Sequence, residues 1–225
     1  MSARQGRADV RVYVIIDPAA CAGRDPLMIA EAAARGGATL IQLRDKSGNI
    51  PAMLELARAM KPLLAGHDVP LVVNDRVDVA LAAGLDGAHV GQEDLPAQET
   101  RRLLGEKAII GLSHQTQEHV DTSPVEALSY VAIGGIFATA SKKQPRAPIG
   151  PEGLRELTGR LRQRGADVPI VAIAGITAEN AARVIAAGAD GVSVISEVCA
   201  AEEPERATRA LRAVVDKALK ERRQP

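Results

Sequence analysis

Aromatic side chains are almost missing from this sequence of 225 residues, which has no tryptophan, one phenylalanine (Phe137) and two tyrosines (Tyr13 and Tyr130). So sparse a set cannot build the stacking platforms on which single-stranded nucleic acid lies. An excess of positive charge is missing as well, because 28 Lys+Arg balance 28 Asp+Glu; without a basic field a phosphate backbone is not held. Nucleic acid is thus excluded as a main partner. No apolar run reaches the roughly 18 residues a membrane helix needs, and residues 1–9 (MSARQGRAD) lack the apolar stretch of a secretion signal. These absences predict a cytoplasmic protein with no membrane partner. Cysteine is scarce: Cys21 and Cys199 are too few for a disulfide framework and too far apart for a CxxC metal site, so free thiols are expected. No Pro-rich or low-complexity linker breaks the chain, which predicts one domain over residues 10–221 behind a flexible tail at 1–9.

What is present is alternation. Short Val/Ile-rich runs alternate with amphipathic Ala/Leu/Arg/Glu-rich stretches, the pattern of strands and helices in a parallel sheet. Eight strands are expected, at residues 10–16, 38–43, 70–74, 87–91, 108–113, 130–134, 169–174 and 191–196. The fourth and eighth begin with near-copies, Ala83-Gly84-Leu85-Asp86-Gly87 and Ala187-Gly188-Ala189-Asp190-Gly191. An eightfold count with an internal echo at its half favours a closed (β/α)8 TIM barrel over an open sheet. The longest segment without periodicity, residues 135–150, has the length of an active-site loop.

In such barrels the chemistry sits at the C-terminal strand ends. Strand two ends Gln42-Leu43-Arg44-Asp45-Lys46, and a period of two puts Gln42, Arg44 and Lys46 on one side. Two cations on one face suit a polyanion; a solvated loop is the other reading. Strands three and four end with Asn74-Asp75 and with Gln92-Glu93-Asp94. Asp75 and Asp94, on neighbouring strands, suit Mg²⁺, which shares carboxylates with substrate phosphates, although either alone reads as a helix cap. At strands seven and eight, Gly175 permits close backbone approach, Ser196 adds a hydroxyl, and residues 177–180 read as a helix start whose N–H groups face an anion. Two anion sites across one mouth point to two phosphorylated substrates. Lys142, beside Thr139 and Ser141 in the long loop, is a further cation, though Lys143 and Arg146 share that loop. Of the four histidines only His114, ending strand five, stands where chemistry is expected. Cys21 and Cys199 follow strands that are neighbours in a closed barrel, which leaves open whether the thiols meet.

The set QLRDK, PLVVNDR, DGAHVGQEDLP, GLS, IFATASK, IAGIT and DGVSVIS, in this order from Gln42 to Ser196, resembles the thiamine phosphate synthase family. The resemblance implies a Mg²⁺-dependent transferase that joins 4-amino-2-methyl-5-hydroxymethylpyrimidine diphosphate to a thiazole phosphate, giving thiamine phosphate and diphosphate. Carried over, the pyrimidine-diphosphate site falls on Gln42, Arg44, Lys46, Asn74, Ser113 and Lys142, with Arg44, Lys46, Lys142 and Ser113 as the catalytic set. The metal carboxylates fall on Asp75 and Asp94, and the thiazole-phosphate site on Thr139, Ser141, Gly175, Ile195 and Ser196. Four positions depart from the family pattern: Gly134-Gly135 for Gly-Pro, Ser141 for Thr, Ala174 before Gly175 for Gly-Gly, and Ser113-His114 for Ser-Thr-His. Loss of the proline predicts a looser lid over residues 137–143. His114 keeps a thiazole tautomerase as the rival reading, and a non-catalytic barrel binding thiamine precursors is a third; retention of Arg44, Lys46, Asp75, Asp94 and Lys142 argues for the synthase. Whether the chain forms a homo-oligomer is left open.

Overall fold

The computed structural model describes residues 8–139 and 147–224. Eight short strands appear among them: β1 (Val12–Ile16), β2 (Leu40–Leu43), β3 (Leu71–Asn74), β4 (Gly87–Val90), β5 (Ile109–His114), β6 (Tyr130–Ile133), β7 (Ile170–Ile173) and β8 (Gly191–Val194). Each pairs in parallel with the next, and β8 returns to β1, with Tyr13 opposite Ser193, so the sheet closes as a barrel in chain order. Every strand expected from the apolar runs is found, most of them trimmed by a residue or two at an end.

Helices α1 (Pro26–Arg35), α2 (Ile50–Ala65), α3 (Val77–Ala83), α4 (Ala97–Leu104), α5 (Gln117–Asp121), α6 (Gly150–Gln163), α7 (Ala181–Ala186), α8 (Ser196–Cys199) and α9 (Pro204–Arg222) lie between and after the strands. Their starts follow from local chemistry. Asp25, Asn49 and Thr116 each accept a backbone N–H at the N-terminus of α1, α2 and α5, and Pro stands in the first turn of α1, α2, α6 and α9, where its missing N–H costs nothing.

Strand alternation sorts the apolar side chains into two layers. Tyr13, Ile15, Leu40, Val72, Tyr130, Ala132 and Val171 fill the barrel interior, with Ala8 and Val10 of the entering chain. The residues between them in sequence, such as Val12, Val14, Ile41, Leu43, Val73 and Val131, pack outward against the helices. A barrel of eight strands is just wide enough for side chains to fill, so polar residues at the upper strand ends are the ones left facing the open mouth.

Candidate active site

The first wall of the mouth is built where β1 to β4 end. Gln42 is buried inside the barrel, where its side-chain amide donates to the Tyr13 hydroxyl. Arg44 follows the last residue of β2, its backbone N–H held by Ile16 O at 2.9 Å, and its guanidinium is paired with Asp17. Lys46, with a half-exposed side chain, is paired with Asp75. The cations expected from the QLRDK run are thus at the strand ends, each held in place by a carboxylate.

Asp75 is not a helix cap. Arg76 occupies that position before α3, with no side-chain cap hydrogen bond, while Asp75 has φ +61°, a left-handed conformation that Asp tolerates better than most residues. Its backbone N–H donates to His89 O at 2.8 Å across to β4, and its carboxyl hydrogen-bonds with that of Asp94. Asp94 also accepts the Gly91 N–H at 2.7 Å, closing the turn after β4. Burial works to raise both carboxyls. In Asp75 the bond to Lys46, the bond to Asp94 and the charges of Lys46 and His89 outweigh it and hold the group below its usual value. In Asp94 burial prevails, reinforced by the neighbouring Asp75 charge, and the group is raised. Two carboxyls thus meet across the β3–β4 seam and oppose each other's ionisation, an arrangement that a divalent cation relieves. Among the described residues no three carboxylate, histidine or cysteine side chains form a metal cluster. Two carboxyls on neighbouring strand ends, Asp75 and Asp94, are hard oxygen donors of the kind Mg²⁺ takes alongside substrate oxygens and water.

Inside the mouth, Ser113 on β5 is joined to His89 on β4, Oγ to Nε2 at 2.8 Å. Because β5 alternates, the next side chain, His114, points the other way. It is fully buried between barrel and helices, its Nδ1 lies 3.2 Å from Leu112 O, and its Nε2 has no partner. Burial pushes its pKa down to about 4. His114 stands at a strand end as expected, but it does not face the mouth, which removes the feature that favoured a tautomerase.

The second wall is made where β6, β7 and β8 end. Gly175 has φ +65°, and a Cβ there would lie 2.5 Å from Ala138 O and 2.8 Å from Phe137 Cβ; only glycine lets the segment after β6 lie on this turn. That segment is tied down by Phe137 N–H to Ala174 O at 3.0 Å and by Arg183 over the Phe137 ring at 5.6 Å. Phe137 and Ala138 are thereby laid on the Gly175 turn, with Thr139 next in the chain, and Ile195 and Ser196 enter α8 on the adjacent strand end. The expected helix start at 177–180 is corrected: α7 begins at Ala181, the Thr177 N–H is taken by Asn180 at 3.0 Å and the Ala178 N–H by Glu197 at 3.0 Å. Those two amides are spent on side chains of the protein, Asn180 and Glu197, and are not left for a bound phosphate. Ser141 and Lys142 lie outside the described residues, as does most of the segment expected as a looser lid. Gly135, just before it, has φ +73°, which proline with its fixed φ near −65° cannot adopt.

Three participants escaped the sequence reading: Asp17, His89 and Tyr13. Asp17 ends strand one and was accessible to the rule applied to the other strands. Tyr13 gave no such signal, since a mid-strand aromatic reads as core, and the HVG run showed no ligand spacing that would single out His89.

A closed parallel barrel with charged side chains gathered at its C-terminal mouth makes this a (β/α)8 barrel of the enzymatic kind. The chain belongs to the thiamine monophosphate synthase family, which it matches over residues 12–198, and is an enzyme of that type. It is 46% identical to a thiamine-phosphate synthase of Agrobacterium fabrum, the alignment covering 96% of this chain and 98% of that one. It is 48% identical to one of a Roseiflexus species, over 94% and 87%. A solved thiamine phosphate pyrophosphorylase of Pyrococcus furiosus superposes with a TM-score of 0.82 at 34% identity, covering 95% of this chain and 98% of that chain.

Proposed function

We propose that the chain joins 4-amino-2-methyl-5-hydroxymethylpyrimidine diphosphate to a thiazole phosphate, releasing thiamine phosphate and diphosphate, in the cytoplasm and with residues 10–221 as the catalytic unit. The observation that carries this reading is the convergence of Lys46, Asp75 and Asp94 at the ends of β2, β3 and β4, with Arg44 beside them. A machine for separating diphosphate from carbon needs such a cluster, because negative charge builds on the leaving oxygens as the bond breaks.

In this reading Gln42, Asn74 and Ser113 hold the pyrimidine, while Arg44, Lys46 and Lys142 receive the diphosphate. Asp17 and Asp75 keep Arg44 and Lys46 oriented before substrate arrives, so little reorganisation accompanies the step. Heterolysis of the CH₂–O bond leaves a cation delocalised over the aminopyrimidine, the electron pair departing with diphosphate; the thiazole nitrogen then supplies the pair of the new C–N bond. Thr139, Ser141, Gly175, Ile195 and Ser196 hold the thiazole phosphate so that this nitrogen faces the carbon. Asp75 and Asp94 would hold Mg²⁺, which when bound neutralises part of the diphosphate charge.

The test is to incubate the purified protein with both substrates, with and without Mg²⁺, and to follow thiamine phosphate and diphosphate. Production of both in a metal-dependent manner is expected. Absence of both with functional substrates overturns the reading.

A further inference from the structure

The pairing of β5 with β6 continues past the last residue of either strand. Ser113 stands opposite Ala132 and His114 opposite Ile133, and the Gly134 N–H then donates to His114 O at 2.8 Å, so Gln115 comes level with Gly134 at the rim. Outside it Gln115 borders the cleft between α5 and α6. On the inner side, strand alternation puts Gly134 on the face of β6 that carries Tyr130 and Ala132 into the barrel interior, and puts Gln115 on the face of β5 that carries Ser113. The glycine leaves room there and the Gln115 side chain takes it: a Cβ on Gly134 would lie 3.4 Å from Gln115 Nε2, 3.5 Å from its Cγ and 3.7 Å from Ile173 Cγ2. The amide thus leans off β5 over the end of β6 toward β7, away from the carboxyls at the ends of β3 and β4.

What lies beyond the amide is apolar. Ile173 and Ile195, the uppermost inward side chains at the ends of β7 and β8, pack on the barrel interior yet stay partly open to the mouth. Among the described residues the Gln115 side chain has no hydrogen-bond partner; its backbone N–H alone is bonded, to His119 Nδ1 at 3.2 Å. A half-buried primary amide, its two N–H donors and its carbonyl all unspent, therefore stands at the edge of a shelf of two isoleucines, on the side of the mouth where Gly175 and Ser196 lie.

We propose that Gln115 is a specificity-determining residue that hydrogen-bonds the thiazole phosphate and holds its ring on the Ile173–Ile195 shelf; the assignment rests on the two-substrate reading above. Contact with the isoleucines fixes the plane of a ring and leaves it free to turn within that plane, because apolar contact has no direction. One polar group at the edge of such a shelf supplies the missing constraint, and Gln115 is the amide placed to do so. Its neutrality matters as well, since the ligand is an anion that a carboxylate in the same place would repel.

Initial rates test the assignment, each substrate being varied in turn with the other and Mg²⁺ saturating. Gln115→Met keeps the length of the side chain and removes the amide; it is expected to raise KM for the thiazole phosphate about tenfold, as the loss of one ligand hydrogen bond does, and to leave KM for the pyrimidine diphosphate unchanged. Gln115→Glu keeps the shape and adds a charge, and should raise the same KM further. Both should melt as the wild type does, since no partner within the protein is lost, and Gln115→Ala takes the place of Gln115→Met should that variant fold poorly. A folded Gln115→Met with the wild-type KM for the thiazole phosphate overturns the proposal, as does a rise confined to the KM for the pyrimidine diphosphate. Either result leaves the reaction standing, because the wild type still makes thiamine phosphate. A wild type that makes none overturns the reaction, and this assignment with it.

Discussion

Asp75 combines two demands in one residue, a carboxylate facing Asp94 and a backbone at φ +61°. Asn accepts that conformation as readily as Asp, so Asp75→Asn removes the charge without adding strain. It is expected to lower kcat at least about a hundredfold and to blunt the dependence of rate on Mg²⁺, with an unchanged thermal melt; initial rates across a Mg²⁺ series check this. Ala174 has φ +93° without the freedom of glycine. Strain of this kind costs about 1–3 kcal/mol and glycine gives part of the gain back through a freer unfolded chain, so Ala174→Gly should stabilise by about 1 kcal/mol in urea unfolding. His114 sets a pH dependence. Its folded pKa of about 4 lies below the ordinary 6.5 because it is buried, so between those values the unfolded chain binds a proton that the folded chain refuses. Its contribution to stability is complete above pH about 6.5 and declines as the pH falls toward 4, by about 3 kcal/mol in all. His114→Leu should flatten this slope, read from urea midpoints at pH 7 and pH 5.

At the scale of elements the repeated Asp-Gly pair explains itself. Asp86 accepts the Leu71 N–H at 2.8 Å and pairs with Lys61 at 2.7 Å; Asp190 accepts the Ile170 N–H at 3.0 Å and pairs with Arg162 and Arg222. Each carboxylate ties the first residue of the preceding strand, β3 or β7, to the turn that opens the next. The glycines that follow touch the neighbouring backbone, a Cβ at Gly87 falling 1.8 Å from Ile109 O and one at Gly191 falling 1.8 Å from Val10 O. The same two-residue device thus seats equivalent strands in both halves of the barrel. Asp86→Ala and Asp190→Ala should each destabilise by about 1–2 kcal/mol, since each leaves a strand N–H without its acceptor, and the losses should add because the sites share no partner. Thermal melts of the two single variants and the double variant test both statements.

At the scale of the molecule, closure of β8 on β1 brings together segments that are far apart in the sequence. Cys21 Sγ donates to Asp17 O at 3.2 Å and Cys199 Sγ to Ile15 O at 3.3 Å, so both thiols sit on carbonyls at the end of β1, and both are fully buried. The two thiols are neighbours, close enough for each to perturb the other's ionisation, and both remain free. Native protein should therefore show almost no reaction with a thiol-specific aromatic disulfide reagent, and two equivalents should react once urea opens the barrel; fast reaction in the native state would contradict the packing. Arg24 reinforces the same seam, reaching Ala201 O at 2.8 Å and Cys199 O at 2.5 Å.

The order and number of strands were written in the alternation of apolar runs, because a parallel strand buried on both faces must be apolar throughout its length. The charged strand ends Arg44, Lys46, Asp75 and Asp94 were legible for a related reason: a polar residue interrupting such a run has only the mouth to occupy. What the sequence could not show was direction and partnership. Whether His114 or Ser113 faces inward depends on the phase of β5. The pairing of Arg44 with Asp17 joins strands β1 and β2, and the Gln115 side chain reaches from β5 over Gly134 at the end of β6. The amides at 177 and 178 looked free only while Asn180 and Glu197 had no place in space. The sequence alone determined the barrel, its family motifs and the residue types at its mouth; tertiary structure alone decided which donors were already spent, because hydrogen bonds between strands form only after the sheet has closed.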